Sequence, residues 1–342
     1  MRIDQLDYEL PTELIAQRPV EPRDQSRLMV VDRTRGTIGH RRFADLSAIL
    51  RPGDCLVLND TRVLPARLVG RRVSTGGRWE GLFLHGATDG SWELLCQTGG
   101  RPRVGEVFEL DGGAARLVLQ ERLPDGHWRM RPVPDLPPVE FLVRHGRVPL
   151  PPYIRGGEEG PGDRERYQTV FAASPGAVAA PTAALHFTTN LLDRLSDRGV
   201  ELVRLTLHVG LGTFLPVRES LDTHVMHAER GRLSATAAET IRRGRAAGSR
   251  CVAVGTTCVR VLETAAAAGG LAAWQGETDL FIRPPYEFRV VDAMITNFHL
   301  PRTTLLALVC AFAGERTWRA AYETAVHEQY RFFSYGDAML IE

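Results

Sequence analysis

The chain has no lysine. All 42 basic side chains among its 342 residues are arginine, so no ε-amine can form a Schiff base and no Walker-A lysine can hold a nucleotide's phosphates. Any amine nucleophile has to arrive on a substrate. Cysteine is sparse: Cys55, Cys96, Cys251, Cys258 and Cys310 show no CxxC pairing, which indicates neither a zinc knuckle nor a disulfide framework and fits a reducing cytoplasm. No apolar run approaches the roughly 18 residues a membrane span needs. The start, MRIDQLDYEL, is polar and acidic rather than signal-like. A cytoplasmic protein without a membrane partner is expected. The dinucleotide fingerprint is also incomplete, because Gly210-Leu-Gly212 is followed by Leu215 where a third glycine belongs, and Pro216 opposes a helix start.

What is present centres on residues 176–216. A Gly, Ala and Pro loop delivers His186 and Phe187, and Thr188 to Asn190 offer N-caps to a short helix carrying Leu191, Leu192 and Leu195. Gly199 can end that helix in the left-handed conformation. A strand pattern from Val200 to Val209 then runs into His208, Gly210, Gly212, Phe214 and Pro216. Gly255-Thr-Thr257 and Thr296-Asn-Phe-His299 likewise follow apolar strand-like runs. Open α/β sheets bind ligands at the carboxyl ends of their strands, so these loops together imply a site.

The remainder divides by pattern. Residues 1–65 and 149–342 alternate strand and helix signals: strands at Arg27–Asp32, Cys55–Leu58, Cys251–Val254, Leu280–Ile282 and Val290–Ile295, and helices at Phe43–Leu50, Cys258–Ala268, Thr303–Phe312 and Arg316–Tyr330. Between them, residues 66–148 show short apolar segments separated by Gly, Asp or Pro with no helix pattern, as in a small barrel. The expected fold is a large mixed-sheet α/β domain with an inserted, barrel-like all-β domain. From Thr61 to Arg155 there are 14 Arg against 10 acidic residues, net +4 in a chain of net +1. A partner carrying phosphates would prefer that middle segment, although a solvated surface reads equally well.

Several motifs carry chemistry. The amides and dipole at Gly255, Thr256 and Thr257 suit a carboxylate or phosphate, or form a plain helix cap. His224-x-x-His227-x-Glu229 has the spacing of a metal triad, but no supporting partner is visible, and a structural or substrate-contact role is favoured. His186, His208 and His299 stand beside Phe187, Gly210 and Phe298. An imidazole in such a loop suits proton transfer near neutrality, and the neighbouring ring can stack on a base.

Together these motifs resemble the S-adenosylmethionine:tRNA ribosyltransferase-isomerase family of queuosine biosynthesis. The resemblance runs through Asp7–Pro11, Asn59–Arg67, Leu150–Ile154, Arg166–Thr169, Pro175–Thr182, Leu185–Phe187, Leu207–Phe214, Gly255–Arg260, Thr296–Pro301 and Phe332–Met339, essentially the whole chain in order. Departures are Cys258 for a usual Ser, Ala184 and Pro285 for usual glycines, and arginines where lysines are common in the middle domain.

The resemblance implies that the ribosyl part of S-adenosylmethionine moves to the aminomethyl group of a 7-deazaguanine (preQ1) in a tRNA anticodon, releasing adenine and methionine. S-adenosylmethionine would be a co-substrate, with no permanently bound cofactor, no metal, and a monomeric enzyme. It points to His186, His208 and His299 as proton-transfer candidates, with Asp279 or Asp337 next in line. Thr182, Phe187, Gly210, Gly212, Phe214, Gly255, Thr256, Thr257, Arg260, Asn297 and Phe298 become candidate substrate contacts. Within that set, Thr256, Thr257 and Arg260 would hold the methionine carboxylate or a phosphate, and Phe187, Phe214 or Phe298 would stack on adenine. Arg62, Arg67, Arg71 and Arg72 are the candidate tRNA contacts. Two competitors remain: a nucleotide-dependent α/β oxidoreductase, opposed by the broken glycine fingerprint, and a non-catalytic RNA-binding protein, which would bind RNA without releasing adenine.

Overall fold

The computed structural model describes residues 2–210, 221, 224 and 226–342. The first elements are β1 (Arg27–Asp32), β2 (Thr37–Arg42), the one-turn helix α1 (Leu46–Ile49), β3 (Cys55–Asn59) and β4 (Thr61–Val63). Six strands follow with no helix between them: β5 (Arg67–Arg72), β6 (Arg78–Gly86), β7 (Trp92–Thr98), β8 (Val107–Leu110), β9 (Arg116–Arg122) and β10 (Trp128–Val133). They close into a barrel in the order β10-β7-β6-β5-β8-β9. Alternate residues such as Leu68, Trp79, Leu94, Phe108, Leu117 and Met130 fill its interior, as closure requires of a small barrel. Helix α2 (Pro138–His145) sets Phe141 edge-on against Trp92 at 4.9 Å.

The chain continues through α3 (Asp163–Arg166), β11 (Ser174–Ala177), α4 (Thr189–Asp197), β12 (Glu201–Leu207), β13 (Glu229–Leu233), α5 (Ala235–Ala246) and β14 (Cys251–Val254). It ends with α6 (Thr256–Ala265), β15 (Trp274–Thr278), β16 (Ala293–Asn297), α7 (Thr304–Ala313), α8 (Glu315–His327) and β17 (Ala338–Ile341). Helix α4 begins as its sequence dictates, with Thr188 accepting from the Leu191 N–H at 3.2 Å, and Gly199 follows it at φ 82°. Nine strands form one mixed sheet in the order β15-β13-β12-β3-β14-β16-β17-β1-β2, in which β12, β3, β14 and β16 are mutually parallel neighbours.

Both faces of this sheet are buried, and the period of two along each central strand feeds two separate cores. Cys55, Val57, Cys251, Ala253, Met294 and Met339 pack on one side beneath α5 to α8. Leu56, Leu58, Val252, Val254, Ile295 and Leu340 pack on the other, with Leu191, Leu192 and Leu195 of α4. Strands buried on both faces read as continuous apolar runs, which explains why β3 and β14 were plain in the sequence.

The expected strand at Leu280–Ile282 is absent, and that segment is irregular. The Arg260 guanidinium takes the Thr278 and Leu280 carbonyls at 3.0 and 3.1 Å, groups a ladder would otherwise use. Contacts divide the molecule into two compact units, one of Met1–Arg62, Tyr153–Gly156 and Gln168–Glu342, the other of Val63–Pro152 and Gly157–Tyr167. Among the described residues no helix is long and apolar enough to cross a membrane.

Candidate active site

Because β12, β3, β14 and β16 run parallel, their carboxyl ends meet at one edge of the sheet, where α/β proteins bind ligands. His208 follows β12, Asp60 and Thr61 follow β3, Gly255 follows β14, and Asn297 to His299 follow β16. Asn59, fully buried, ties two of these exits together. Its amide donates to the Leu207 carbonyl and its oxygen accepts from the Leu207 and Thr61 N–H groups, all at 3.0–3.1 Å. Asp60 accepts from the Thr206 hydroxyl at 2.7 Å.

His208 is held by its neighbours on one side and open on the other. Its Nδ1 lies 2.8 Å from Thr61 Oγ1, and that hydroxyl is also 3.5 Å from the Ser174 carbonyl. With the hydroxyl proton directed to the carbonyl, the Thr61 oxygen accepts from Nδ1–H, and Nε2 keeps its lone pair. A Cβ at Gly176 would come within 2.8 Å of the ring, so only glycine lets the backbone lie against it. The imidazole lines an open cleft of about 520 Å³ with Ser174, Thr206, Arg230, Arg232, Gln275 and Glu277. Burial, aided by Arg230 and opposed by Asp60, holds its pKa below the ordinary histidine value. It is therefore neutral at pH 7, the state a general base requires.

The other two histidines sit differently. His186 is wholly buried, stacked on Phe43 at 4.9 Å, with Ser26 Oγ 2.7 Å from Nδ1 and Asn297 Nδ2 3.1 Å from Nε2. An amide nitrogen only donates, so Nε2 accepts and the proton rests on Nδ1. Burial, then Arg23 and Arg331, press its pKa far below normal. Both nitrogens are occupied and the ring has no open side, so the proton-transfer role expected from sequence gains no support from this geometry. His299 is 9% exposed, its Nε2 lies 2.7 Å from Thr296 Oγ1, and burial lowers its pKa to about 4.

The anion-binding expectation divides between residues. Gly255, at φ 84°, turns the chain into α6 without a side-chain cap. Thr256 and Thr257 open that helix beside a small cavity of about 20 Å³ that is also lined by Met226, Phe281 and Thr304. Thr257 Oγ1 is buried with no protein partner. Arg260 lines the same cavity but is already committed: its guanidinium pairs with buried Glu229 and takes the two carbonyls named above. Glu229 in turn accepts the Gly210 N–H at 2.8 Å. Arg260 is thus a structural cation, not a free carboxylate receptor.

The stacking expectation is corrected for two rings. Phe187 is 1% exposed and edge-on to Phe43, and Phe298 lies among Tyr322, Tyr330 and Phe332 at 5.2–5.6 Å. Both belong to the core. Asn297 is buried too, donating to His186 and to the Phe333 and Asp337 carbonyls while its Oδ1 has no partner. Thr182 is half-buried at the start of the 3₁₀ turn Thr182–His186. Gly212 and Phe214 lie outside the described residues. Of the two alternative bases, Asp279 is exposed, whereas Asp337 is buried and accepts from the Arg27 and Arg331 N–H groups.

The candidate tRNA arginines also differ from one another. Arg67 pairs with Glu80 and Glu158, and Arg72 forks onto Glu106 at 2.6 and 3.0 Å, so both are fastened into the barrel unit. Arg71 is exposed; Arg62 is exposed with one bond to the Ala172 carbonyl. Sequence reasoning had passed over Thr61, Gly176, Arg230 and Arg232. The first two lie in the family-like stretches Asn59–Arg67 and Pro175–Thr182, but their role shows only in their three-dimensional contact with His208. No triad forms at His224, His227 and Glu229: Glu229 is held by Arg260, and His227 is exposed. One cluster among the described residues has metal-ligand spacing, Glu93, Asp125 and His127 on the barrel. There His127 Nδ1 already bonds Glu93 at 2.7 Å.

Fold and site together define an α/β scaffold with its reactive candidates at parallel strand ends and a closed β-barrel inserted in the chain. The chain belongs to the family described as queuosine biosynthesis protein, whose model matches residues 3–341. It is 52% identical to the S-adenosylmethionine:tRNA ribosyltransferase-isomerase of Anaeromyxobacter sp. strain K, covering 100% of this chain and 99% of that one. The protein of the same name from Moorella thermoacetica is 51% identical, with 100% of both chains covered. A crystal structure of S-adenosylmethionine tRNA ribosyltransferase from Thermotoga maritima matches with a TM-score of 0.58 and 39% identity over 99% of this chain and 100% of that one.

Proposed function

We propose that this enzyme transfers and isomerises the ribosyl moiety of S-adenosylmethionine onto the 7-aminomethyl-7-deazaguanine base at the anticodon wobble position of tRNA. The products are epoxyqueuosine-tRNA, adenine and methionine. Family membership supports the reaction class, and the absence of lysine agrees with it, since the attacking amine belongs to the substrate. The observation that carries the assignment of a base is the geometry of His208: neutral, oriented through Nδ1 by Thr61, and presenting Nε2 in an open cleft at the strand ends.

The sulfonium acidifies the C5′ hydrogens of the co-substrate. His208 Nε2 takes one of them as a proton, the sugar ring opens, and adenine departs with the electron pair of its glycosidic bond. The imidazolium so formed supplies a proton to the leaving adenine. Burial lowers the pKa of His299 to about 4, which favours the His208 imidazolium over His299 as the proton source. The substrate amine then adds to C4′ of the vinyl sulfonium and loses its proton. The C5′ ylide so formed closes the carbocycle on the C1′ aldehyde, and the C1′ alkoxide forms the epoxide at C5′ as methionine leaves with the electron pair of its carbon–sulfur bond. Thr257 and the first turn of α6, whose hydroxyl and amides lack side-chain partners, receive the methionine carboxylate.

Incubation with S-adenosylmethionine and preQ1-containing tRNA, followed by nucleoside mass spectrometry, tests the reading. The expected result is epoxyqueuosine with equimolar adenine. RNA binding without adenine release would refute it.

A further inference from the structure

Among the described residues, the β12, β13 and β15 end of the sheet has one packed face and one open face. On the packed side a Cβ at Gly231 would sit 3.0 Å from Leu207 and Trp274 side chains. The other side bears two cross-strand rows. Thr206 pairs with Arg232, which pairs with Gln275, and two residues along Arg230 pairs with Glu277. His208 joins the second row by donating its N–H to the Arg230 carbonyl at 2.9 Å. Residues two apart share a face, and all six of these side chains line the cleft that holds His208.

We propose that this open sheet face seats the RNA segment carrying the reacting base, with Arg230 beside His208 and Arg232 one cross-strand row further along neutralising successive backbone phosphates next to the nucleotide presented to His208. The inference rests on reading the His208 cleft as the place of reaction. Guanidinium forks match phosphate oxygens. Arg232 is exposed and has no carboxylate partner among the described residues. Arg230 bonds Glu277 at 3.0 Å, but their side chains are 79% and 56% exposed, and a pair so solvated opens at little cost. Arg67 and Arg72, by contrast, are held by barrel carboxylates. A sheet face uncovered among the described residues, with arginines along its middle strand, suits a single-stranded loop, whose bases and phosphates can spread across the strands.

The test measures binding of preQ1-containing tRNA against salt for the parent, Arg230→Ala, Arg232→Ala, Arg232→Gln, Glu277→Gln and the exposed off-face control Arg316→Ala. Thermal melting accompanies each variant. Each loss of a face arginine is expected to weaken binding about three- to fivefold at physiological salt and to flatten the log–log salt slope by roughly 0.7. Glu277→Gln should tighten binding, S-adenosylmethionine affinity should not change, and Arg316→Ala should behave as parent. Unchanged affinity and slope in folded Arg230 and Arg232 variants, or an equal loss in Arg316→Ala, would overturn the placement. If the parent binds tRNA through this face but forms no product, the functional reading fails while the surface stands.

Discussion

His208, His186 and His299 look alike in sequence and are set apart by what surrounds each ring. His208→Gln is expected to leave tRNA and S-adenosylmethionine binding intact and to cut turnover by about 10² to 10⁴. Solvent deuterium should no longer enter C5′, and turnover within a few fold of parent would exclude His208 as the base. Thr61→Val removes the partner of Nδ1 and should lower kcat, while Thr61→Ser restores the hydroxyl and the rate; equal loss in both would assign Thr61 to packing alone. Since burial lowers the His208 pKa, the acidic limb of kcat/KM should fall below the ordinary value of about 6.5 and vanish in a rescued variant that uses another base. His186→Gln should instead lower the melting temperature, because it breaks contacts with Ser26 and Asn297. Residue type and position after a strand were legible in the sequence. Which rings lie in the core was not, because Phe187 and Phe298 satisfy the same local pattern whether they face a ligand or other aromatics.

Elements with strong periodicity were readable, among them α7, α8, β3, β14 and the six barrel strands. Those that rely on partners were not. Strands β13 (ERGRL) and β15 (WQGET) have few apolar residues because one of their faces is open, and β2 (TIGHRR) is an edge strand rich in arginine. Their backbone pairing comes from neighbours distant in sequence, which local propensity does not encode. The barrel shows the same dependence in its charges. Arg72 holds the Glu106 carboxyl down to about 2, and the pair is largely enclosed, with side chains 12% and 9% exposed. Arg72→Glu is expected to destabilise the barrel, seen as an earlier melting transition, because it replaces the partner of Glu106 with a like charge. Arg71→Glu, at an exposed site, should leave melting unchanged.

At the scale of the whole molecule, buried neutral histidines make stability depend on acid. His299 titrates near 4 when folded and near 6.5 when unfolded, and His186 is displaced in the same direction. The unfolded chain binds more protons between those values, so the contribution is complete above about 6.5 and lost as pH falls toward 4, roughly 3 kcal/mol for His299. Urea unfolding across that window should show the slope, and His299→Gln should reduce it. Since the proposed chemistry draws on a sulfonium and on protein side chains, exhaustive chelation should leave turnover unaltered; activity lost with a stoichiometric metal and regained on its return would refute this.

Among the described residues, the sheet ends in two unpaired borders, β2 and β15. At the first, Arg41 and Arg42 close a six-residue strand with little buried surface. An incoming strand from a second molecule would have to set its own backbone beside that row of positive charge, and two copies meeting through β2 would oppose arginine to arginine. In a chain without lysine, arginine has taken over the guarding of an exposed sheet edge, which predicts that neutralising Arg41 and Arg42 shortens the lifetime of concentrated solutions before any loss of fold is seen.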